Sequence, residues 1–436
     1  MCINRHSHRE TQLHSDVQNG WVIHFEVVSA RLVASVFLSS LLLSACSRVG
    51  SDLPLIMYVA MVIDQDSTIE TAIQADFRRR IQITFSDFRK IQPNVKFQVA
   101  LYKRSDLVRE LRRRDVSDLG PDLIITGAHQ SKELLVNGLT KALPIKTFKR
   151  NQTEESLWER VKLDDERIAA QPIVIFPQIA CFNREIVQKP PSTLKMLLQH
   201  GAAGTRVGLP VNLSELLWTA GSLGALPSLA LVDSGQMASQ ASTEPILDWL
   251  SWLERASSQE NITFFQNQGQ LEDLLKDGEL DWVSCNANSL LRLRSQMGKK
   301  LGVSPLPRGP GGAPSPVNAV RVMALGANSN KRQRQIAISM MKFITNPMVQ
   351  RNLSLRSRAF LPVNPAVSLP VRSSKTLETL VQSRDDSMQH EASLVRLVHN
   401  RNLDRNGSQA IVPLVFGASS PGSSMDTLIK FLKSGS

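Results

Sequence analysis

The sequence lacks the motifs of common hydrolases and metal sites. It contains no G-x-S-x-G, no H-E-x-x-H and no C-x-x-C, and His390-Glu391 has no second histidine at metal-ligand spacing. Nucleophilic and zinc chemistry need such clustered groups. We therefore predict a protein that is not an enzyme and that carries no metal and no cofactor. A secreted hydrolase of unfamiliar geometry remains a minor alternative.

Cysteine is scarce, and only two of the four cysteines, Cys181 and Cys285, lie within the body of the chain. A zinc or thioredoxin-like site is not expected without a C-x-x-C pair. The two could form a disulfide. We favour two buried free thiols, because unpaired cysteine packs as a small apolar residue.

No apolar run near the start is long enough to span a bilayer, which takes about 20 residues. Leu32 to Ala45 is mostly apolar, follows Arg31 and ends on small residues, which is typical of a secretory signal peptide. Its end, Leu43-Ser44-Ala45-Cys46, resembles the bacterial lipobox, in which the cysteine sulfur receives a lipid. Cys46 is therefore the predicted lipidation site, and a buried helix with a packed cysteine is the alternative.

Residues 1–26 are polar and rich in histidine, which does not suit the start of a signal peptide. We hypothesise that translation begins near Val27 or Val28, so that residues 1–45 combine an upstream extension with the signal.

Negative charge is in short supply, with 39 acidic residues against 51 lysines and arginines and a formal net charge of +12. The basic residues form short runs at Arg78-Arg79-Arg80, Arg112-Arg113-Arg114 and Lys331-Arg332-Gln333-Arg334. No interleaved aromatic residues or nucleic-acid motif accompany them. Solvated helix faces are the favoured interpretation, an anionic partner is the alternative, and no nucleic acid is expected.

Apolar runs alternate with helical patterns along the chain. Strands are predicted near 53–62, 95–102 and 123–125, with helices between them. The pattern recurs after Pro172, beginning with a strand over 173–182. This alternation favours parallel sheets with crossover helices, which indicates two α/β units.

Four segments resemble extracellular solute-binding proteins of the carbohydrate type (family 1), which serve ABC importers. The segments are PDLIIT with NGLTKAL (121–143), CFNREI with PPSTLKML (181–197), SPLPRGPGG with MKFITNPMVQ (304–350), and LPVN (361–364).

That resemblance implies a class II-like periplasmic-binding-protein fold with a ligand cleft between two lobes. Each lobe would be a mostly parallel sheet with flanking helices. We assign 53–171 to the first lobe, 172–303 to the second, 304–358 to a return into the first, 359–400 to second-lobe helices and 401–436 to a Gly/Ser-containing tail with a short helix. Within that tail, 417–424 has the composition of a flexible linker. Chain crossings are expected near 170–172, 304–306 and 360–362.

Ligands of open α/β lobes bind beyond the carboxyl ends of strands. Polar or aromatic residues in such positions are the candidate ligand-binding residues: Thr126, Gly127, His129, Gln130, Gln178, Asn212, Trp218, Asn286, Asn288 and Arg321. Short amides suit hydroxyls because each can donate and accept. His129 could equally be a surface histidine, and Trp282 could stack on a sugar in place of Trp218.

The predicted function is capture of a small polar solute, a sugar or sugar derivative, and its delivery to ABC permease subunits. The protein would act outside the cytoplasm, on a lipid anchor. Aromatic residues are only 5% of the chain, which argues against a long oligosaccharide. Arg321 lies about where such proteins often have tryptophan, so it could meet an acidic ligand or a protein carboxylate. A non-transport envelope scaffold or sensor is the alternative function.

Overall fold

The computed structural model describes residues 54–63, 81–236, 240–400, 403 and 406–433. The chain divides into two compact units, Met1–Pro54 and Leu55–Ser436. Every element below lies in the second unit. The predictions for residues 1–45, for Cys46 and for Arg78-Arg79-Arg80 fall outside the described residues.

The described elements alternate between strands and helices. The strands are β1 Leu55–Ile63, β2 Val95–Lys103, β3 Leu123–Gly127, β4 Thr140–Lys141, β5 Gln171–Phe176, β6 Gln178–Asn183, β7 Val207–Pro210, β8 Ile262–Phe265, β9 Trp282–Asn286, β10 Leu301–Ser304, β11 Ala319–Gly326 and β12 Leu361–Pro362. The helices are α1 (81–89), α2 Leu107–Asp115, α3 Ala128–Val136, α4 Glu155–Val161, α5 Leu194–Ala202, α6 Leu213–Ser222, α7 Leu226–Asp233, α8 Gln240–Ser257, α9 Gln268–Asp277, α10 Leu290–Met297, α11 Lys331–Ile344, α12 Pro347–Ser357, α13 Lys375–Met388, α14 Glu391–His399, α15 Ser408–Val415 and α16 Pro421–Lys433.

The first sheet has the order β12-β5-β11-β3-β1-β2, with β4 paired to β11. Strands β1, β2 and β3 are parallel, and β11 is antiparallel to both of its long neighbours, β3 and β5. Consequently β5 runs in the same direction as β1 to β3. The prediction of a mostly parallel sheet therefore holds for strand direction, with β11 and the two-residue edge strand β12 as exceptions.

The second sheet has the order β10-β6-β9-β7-β8. Strands β7, β8 and β9 are parallel, and β6 lies antiparallel between β9 and β10. Alternate side chains of a strand point to opposite faces of its sheet. Thus Ile179 and Cys181 on β6 join the core that also fills the first sheet, whereas Ala180 and Phe182 join the other core.

The chain passes from the first sheet to the second at Pro177, the single residue between β5 and β6. The expected crossing at 170–172, and the single strand we predicted over 173–182, are wrong. Strand β5 pairs with β11 and β12 and so belongs to the first sheet. Two more passages follow, one between β10 and β11 and one between β12 and α13.

The tail packs on the second sheet's side of the molecule. Helix α16 buries Leu428 and Leu432 in the core that contains Trp249 of α8. Our prediction of linker composition over 417–424 is wrong for its second half, because α16 already begins at Pro421 and Ser424 is buried. Amphipathic burial of a helix outweighs the weak propensity of its serines.

Cys181 and Cys285 form a disulfide between the neighbouring strands β6 and β9, with their Cα atoms 5.8 Å apart. The expectation of two free thiols is therefore wrong. The register of β6 with β9 brings the two cysteines together. It pairs Ile179 with Cys285 and Cys181 with Val283, so Cys181 and Cys285 are diagonal neighbours on one face of the sheet. The bond closes a sequence separation of 104 residues, and constraint of a loop that long stabilises a fold by about 4–5 kcal/mol in the chain-entropy view.

The segment Pro305–Gly312 crosses between the sheets in close contact with the end of α6. Ser222 Oγ donates to the Pro307 carbonyl oxygen at 2.9 Å, and the Gly311 N–H donates to the Ser222 carbonyl oxygen at 2.9 Å. A Cβ added at Gly311 would lie 2.2 Å from the backbone nitrogen of Gly224. Backbone fills the space where a side chain would go, so glycine is required there.

We expect Gly311→Ala to lower the free energy of unfolding by about 1–3 kcal/mol, because the methyl group must displace packed backbone. Gly422→Ala is the matched control. It lies in α16, and the nearest heavy atom to its added Cβ is 4.0 Å away, so it should leave stability unchanged or raise it slightly. Urea unfolding followed by circular dichroism measures both. Equal stabilities for the two variants would contradict the close packing.

Candidate functional site

A cavity of about 1600 Å³ lies between the two sheets, at the carboxyl ends of their strands. From the first sheet it is lined by the last residues of β1, β3 and β5, including Ile63, Gly127 and Phe176. From the second sheet it is lined by Asn286, which ends β9, and by residues that follow β7 and β8. This is where open α/β sheets bind ligands.

Most of the residues selected from the sequence line this one cavity, although they are spread over almost 200 positions. They are Gly127, His129, Gln130, Gln178, Asn212, Asn286, Asn288 and Arg321.

Thr126 and Trp218 do not line the cavity. Trp218 is 0% exposed, and its ring packs against that of Trp282, with centroids 6.5 Å apart. Neither tryptophan can stack on a ligand, because both lie in the second sheet's core. Thr126 is also buried, and its Oγ1 donates to Gln130 Oε1 at 2.5 Å. Thr126 therefore positions Gln130 and does not itself face the cavity.

Two of the candidate asparagines cap helices. Asn212 Oδ1 accepts from the N–H groups of Ser214 and Glu215 at the start of α6. Asn286 Oδ1 accepts from the Asn288 N–H at 3.1 Å. Because these oxygens already accept from the backbone, the Nδ2 groups of Asn212 and Asn286 are the atoms left to donate to a ligand.

Three buried polar side chains on the cavity wall have atoms with no hydrogen-bond partner among the described residues. They are Gln178 Oε1, Gln268 Nε2 and Asn318 Oδ1, on side chains that are 2%, 6% and 5% exposed. Gln178 is held in place because its Nε2 donates to the Glu215 carbonyl oxygen at 2.6 Å. Leaving such atoms without a partner costs about 1–3 kcal/mol each, so their shared position favours a polar ligand.

Arg321 enters the cavity from the middle of the first sheet. Its strand register places it between Gly127 and Val174. Its Nη1 donates to the Val62 carbonyl oxygen at 3.0 Å, and its guanidinium lies 5.9 Å from the centre of the Phe176 ring. The guanidinium therefore occupies the end of β1, and its plane is supported by an aromatic face.

A buried ion pair forms part of the second sheet's wall. Arg292 on α10 donates to Glu272 at 2.9 Å and to Asp273 at 2.6 Å, both on α9. Burial raises the pKa of Glu272, and Arg292 opposes that rise. Glu272 also accepts from the Asn286 N–H at 3.3 Å, so the pair fixes α9 and α10 against the end of β9.

Sequence reasoning missed the aromatic rings of the cavity. Phe176 and Phe360 both line it and meet edge to face, with centroids 5.9 Å apart. Phe176 directly precedes Pro177, where the chain first passes between the sheets, and Phe360 directly precedes β12, after which the chain passes for the third time. An aromatic residue within two positions of a proline near a crossing was the signal that could have identified them.

It also missed two basic residues of the cavity lining, Arg160 and His399. Arg160 donates to the Asn318 carbonyl oxygen, and burial lowers its pKa. Burial, followed by the positive charges of Lys132 and Arg160 and by His129, lowers the pKa of His399 to about 4. These groups come from α3, α4 and α14, which no spacing in the sequence connects.

Within the described ranges, no group of three or more His, Cys, Asp or Glu side chains could hold a metal ion. Among those same residues, no helix is long and apolar enough to cross a membrane.

No protein-family model and no curated protein matches the sequence. Solved structures do match in fold. The GacH receptor of Streptomyces glaucescens, whose structures include a complex with acarbose, is 14% identical with a TM-score of 0.67, over 88% of this chain and 100% of that one.

Two further matches are ABC transporter solute-binding proteins. The one from Thermotoga lettingae, bound with α-D-tagatose, is 12% identical, with a TM-score of 0.64 over 87% of this chain and 99% of that one. The one from Agrobacterium radiobacter, in complex with ribitol, is 13% identical, with a TM-score of 0.62 over 88% and 100%. The predicted fold class is confirmed: the chain has the two-lobed fold of solute-binding proteins.

We expect His399 to make stability depend on pH between about 6.5 and 4. Its pKa is about 4 in the folded protein and its ordinary value is 6.5, so the unfolded chain binds the extra proton in this window. Stability is therefore full above pH 6.5 and falls as the pH drops toward 4.

Between pH 6.5 and 4, the free energy of unfolding of His399→Asn should change less with pH than that of the parent. The difference should correspond to the uptake of one proton on unfolding. His200→Asn is the matched control, at a half-buried histidine in the last turn of α5. Urea unfolding at several pH values measures the slopes. A slope in His399→Asn equal to that of the parent would contradict the lowered pKa.

Proposed function

We propose that the protein captures a small polar solute, a sugar or sugar derivative, and delivers it to ABC permease subunits without covalent chemistry. The observation that carries this is the set of unpartnered atoms on Gln178, Gln268 and Asn318, all on the wall of one cavity between two sheets. Hydroxyl groups of a sugar can donate to the two oxygens and accept from the nitrogen. The proteins of like fold that bind acarbose, tagatose or ribitol support the same class of ligand.

The rings of Phe176 and Phe360 would supply the apolar contact for one face of the solute. They are the aromatic pair at the crossings, where the lobes join. A ligand that touches both lobes favours the closed state over the open one, and the closed form would then engage the permease. Because Phe176 and Phe360 are the only aromatic pair near the crossings among the described residues, we propose a small sugar and not a long chain.

We further propose that the mature protein begins at Cys46 with a lipid on its sulfur and works at the periplasmic or cell-surface face of a bacterial membrane. The support is the sequence Leu43-Ser44-Ala45-Cys46 after an apolar run of signal length. A solute-binding protein has to stay near its permease, and acyl chains would supply that proximity.

The ligand role of Gln268 is tested by Gln268→Met, which removes the unpartnered Nε2 and keeps the side-chain volume. A buried polar atom without a partner costs stability, so the variant alone should be as stable as the parent or more so. Sugars, polyols and sugar phosphates are screened by thermal shift, since a ligand that binds the folded state raises the melting temperature. For the best ligand, the variant should bind about tenfold more weakly, the effect of one lost hydrogen bond.

Thr379→Val is the matched control. Thr379 on α13 is also buried, and its Oγ1 likewise has no partner within the described ranges, but it lies outside the cavity. It should match Gln268→Met in stability and leave ligand affinity unchanged. A complete lack of thermal shift across all three ligand classes would contradict the proposed function and favour an envelope scaffold.

Lipid attachment is tested by palmitate labelling in a bacterial host. The parent should incorporate label, and Cys46→Ser should not, because the thiol is the acceptor. Cys2→Ser controls for the other cysteine ahead of the folded body. Label retained by Cys46→Ser would rule out Cys46 as the acceptor.

A further inference from the structure

The basic runs at 112–114 and 331–334 do not line the cavity. They are the two of the three basic runs that lie in the described residues, and both meet at the edge of the first sheet farthest from the cavity. Strands β1, β2 and β3 are parallel, so their amino ends share one edge. Helices α2 and α3 follow β2 and β3, run back and end at that edge. Strand β11 is antiparallel to β3, so it ends there too, and α11 begins there with Lys331.

Hydrogen bonds confirm that these ends lie side by side. Arg112 Nη2 donates to Asn137 Oδ1 at 2.6 Å, which joins the ends of α2 and α3. Asn328 Nδ2 donates to the Asp115 carbonyl oxygen at 3.3 Å, which joins the end of β11 to the end of α2. We call this surface the basal face and define it by its exposed members: Arg89, Lys90, Ile91, Arg112, Arg113, Val116, Leu119, Val136, Lys331 and Arg332.

The basal face displays apolar side chains at its tips. Val116 is 88% exposed and Leu119 67% exposed, both on the turn after α2. Ile91, on the turn after α1, is 60% exposed, and Val136, the last residue of α3, is 57% exposed. Single exposed apolar residues are ordinary. Four of them at one edge, among basic residues, make the basal face both basic and apolar.

The charge of the basal face is positive after its acids are counted. Asp87 pairs with Lys90 at 2.8 Å, and Glu110 pairs with Arg113 at 3.0 Å. Asp115 and Asp118 are the other acidic residues at these turns. Six basic residues therefore face four acidic ones, and the described residues show no acidic partner for Arg112, Lys331 or Arg332 within ion-pair distance.

The first described strand, β1, begins beside the basal face. Strand β1 begins at Leu55, whose N–H donates to the Asn94 carbonyl oxygen on the turn that carries Ile91. Cys46 is nine residues earlier, a span of at most about 30 Å. A lipid on Cys46 would thus hold the membrane within reach of the basal face. Only this argument, from a lipid on Cys46, rests on the proposed function.

We propose that the basal face lies on an anionic lipid bilayer. The side chains of Arg112, Arg113, Lys331 and Arg332 would pair with lipid phosphates, and Val116 and Leu119 would enter the interface between headgroups and acyl chains. Basic residues close to such a surface contribute about fivefold each to binding, and apolar tips add the contact that a soluble polyanion cannot offer. The cavity would then open away from the membrane.

The test uses the mature chain from residue 46 with Cys46→Ser, so that no lipid is attached, after its thermal unfolding has been shown to be cooperative. Flotation measures its binding to vesicles of phosphatidylcholine alone and with about one third phosphatidylglycerol. We expect binding to the anionic vesicles only, with a steady decrease as salt is added. Replacing Arg112, Arg113, Lys331 and Arg332 by Gln should weaken binding at least about tenfold.

The matched control replaces four exposed lysines away from the basal face, Lys189, Lys195, Lys299 and Lys430, by Gln. It removes the same charge and should retain most of the binding. Val116→Ser with Leu119→Ser should weaken binding to vesicles and leave binding to heparin unchanged. Equal losses in the two quadruple variants, or no binding to anionic vesicles, would overturn the proposal while leaving the sugar screen unaffected.

Discussion

The structure depends on strand β11, which returns from the second sheet and inserts antiparallel between β3 and β5. Its hydrogen bonds on both sides fix the second passage between the lobes, and they place Arg321 beside Gly127 at the carboxyl end of β3. The single-residue passage at Pro177 and the insertion of β11 together bring the strand ends of both sheets to one cavity. Loss of either connection would separate the groups that line it.

The cavity wall is held by contacts that do not involve a ligand. Gln178 is fixed by Glu215, Arg292 by Glu272 and Asp273, and the cap of Asn286 by the turn that follows β9. These bonds hold polar atoms in place while Gln178 Oε1 and its counterparts have no partner among the described residues. Preorganised polar atoms bind a ligand without the further cost of ordering side chains.

The sequence predicted the order of the elements well, because apolar period and turn residues act locally. It predicted most cavity residues for a related reason: a polar residue directly after an apolar strand, such as Asn286, must lie at a sheet edge. It failed where the outcome depends on pairing between distant strands. The disulfide follows from the register of β6 with β9. Trp218 is buried because the helices of the tail pack into the same core on the second sheet's side. Arg160 and His399 meet only because α4 and α14 fold together.

Opposite ends of the first sheet carry different chemistry, with amide and aromatic groups at the cavity and basic and apolar groups at the basal face. The central claim concerns the cavity end. Its most direct test is a crystal structure of the protein with the sugar that stabilises it most. The account predicts the sugar between the sheets, within hydrogen-bond distance of Gln178 Oε1 and Gln268 Nε2 and in contact with Phe176 or Phe360. A sugar bound elsewhere, with those two atoms contacting only protein, would contradict it.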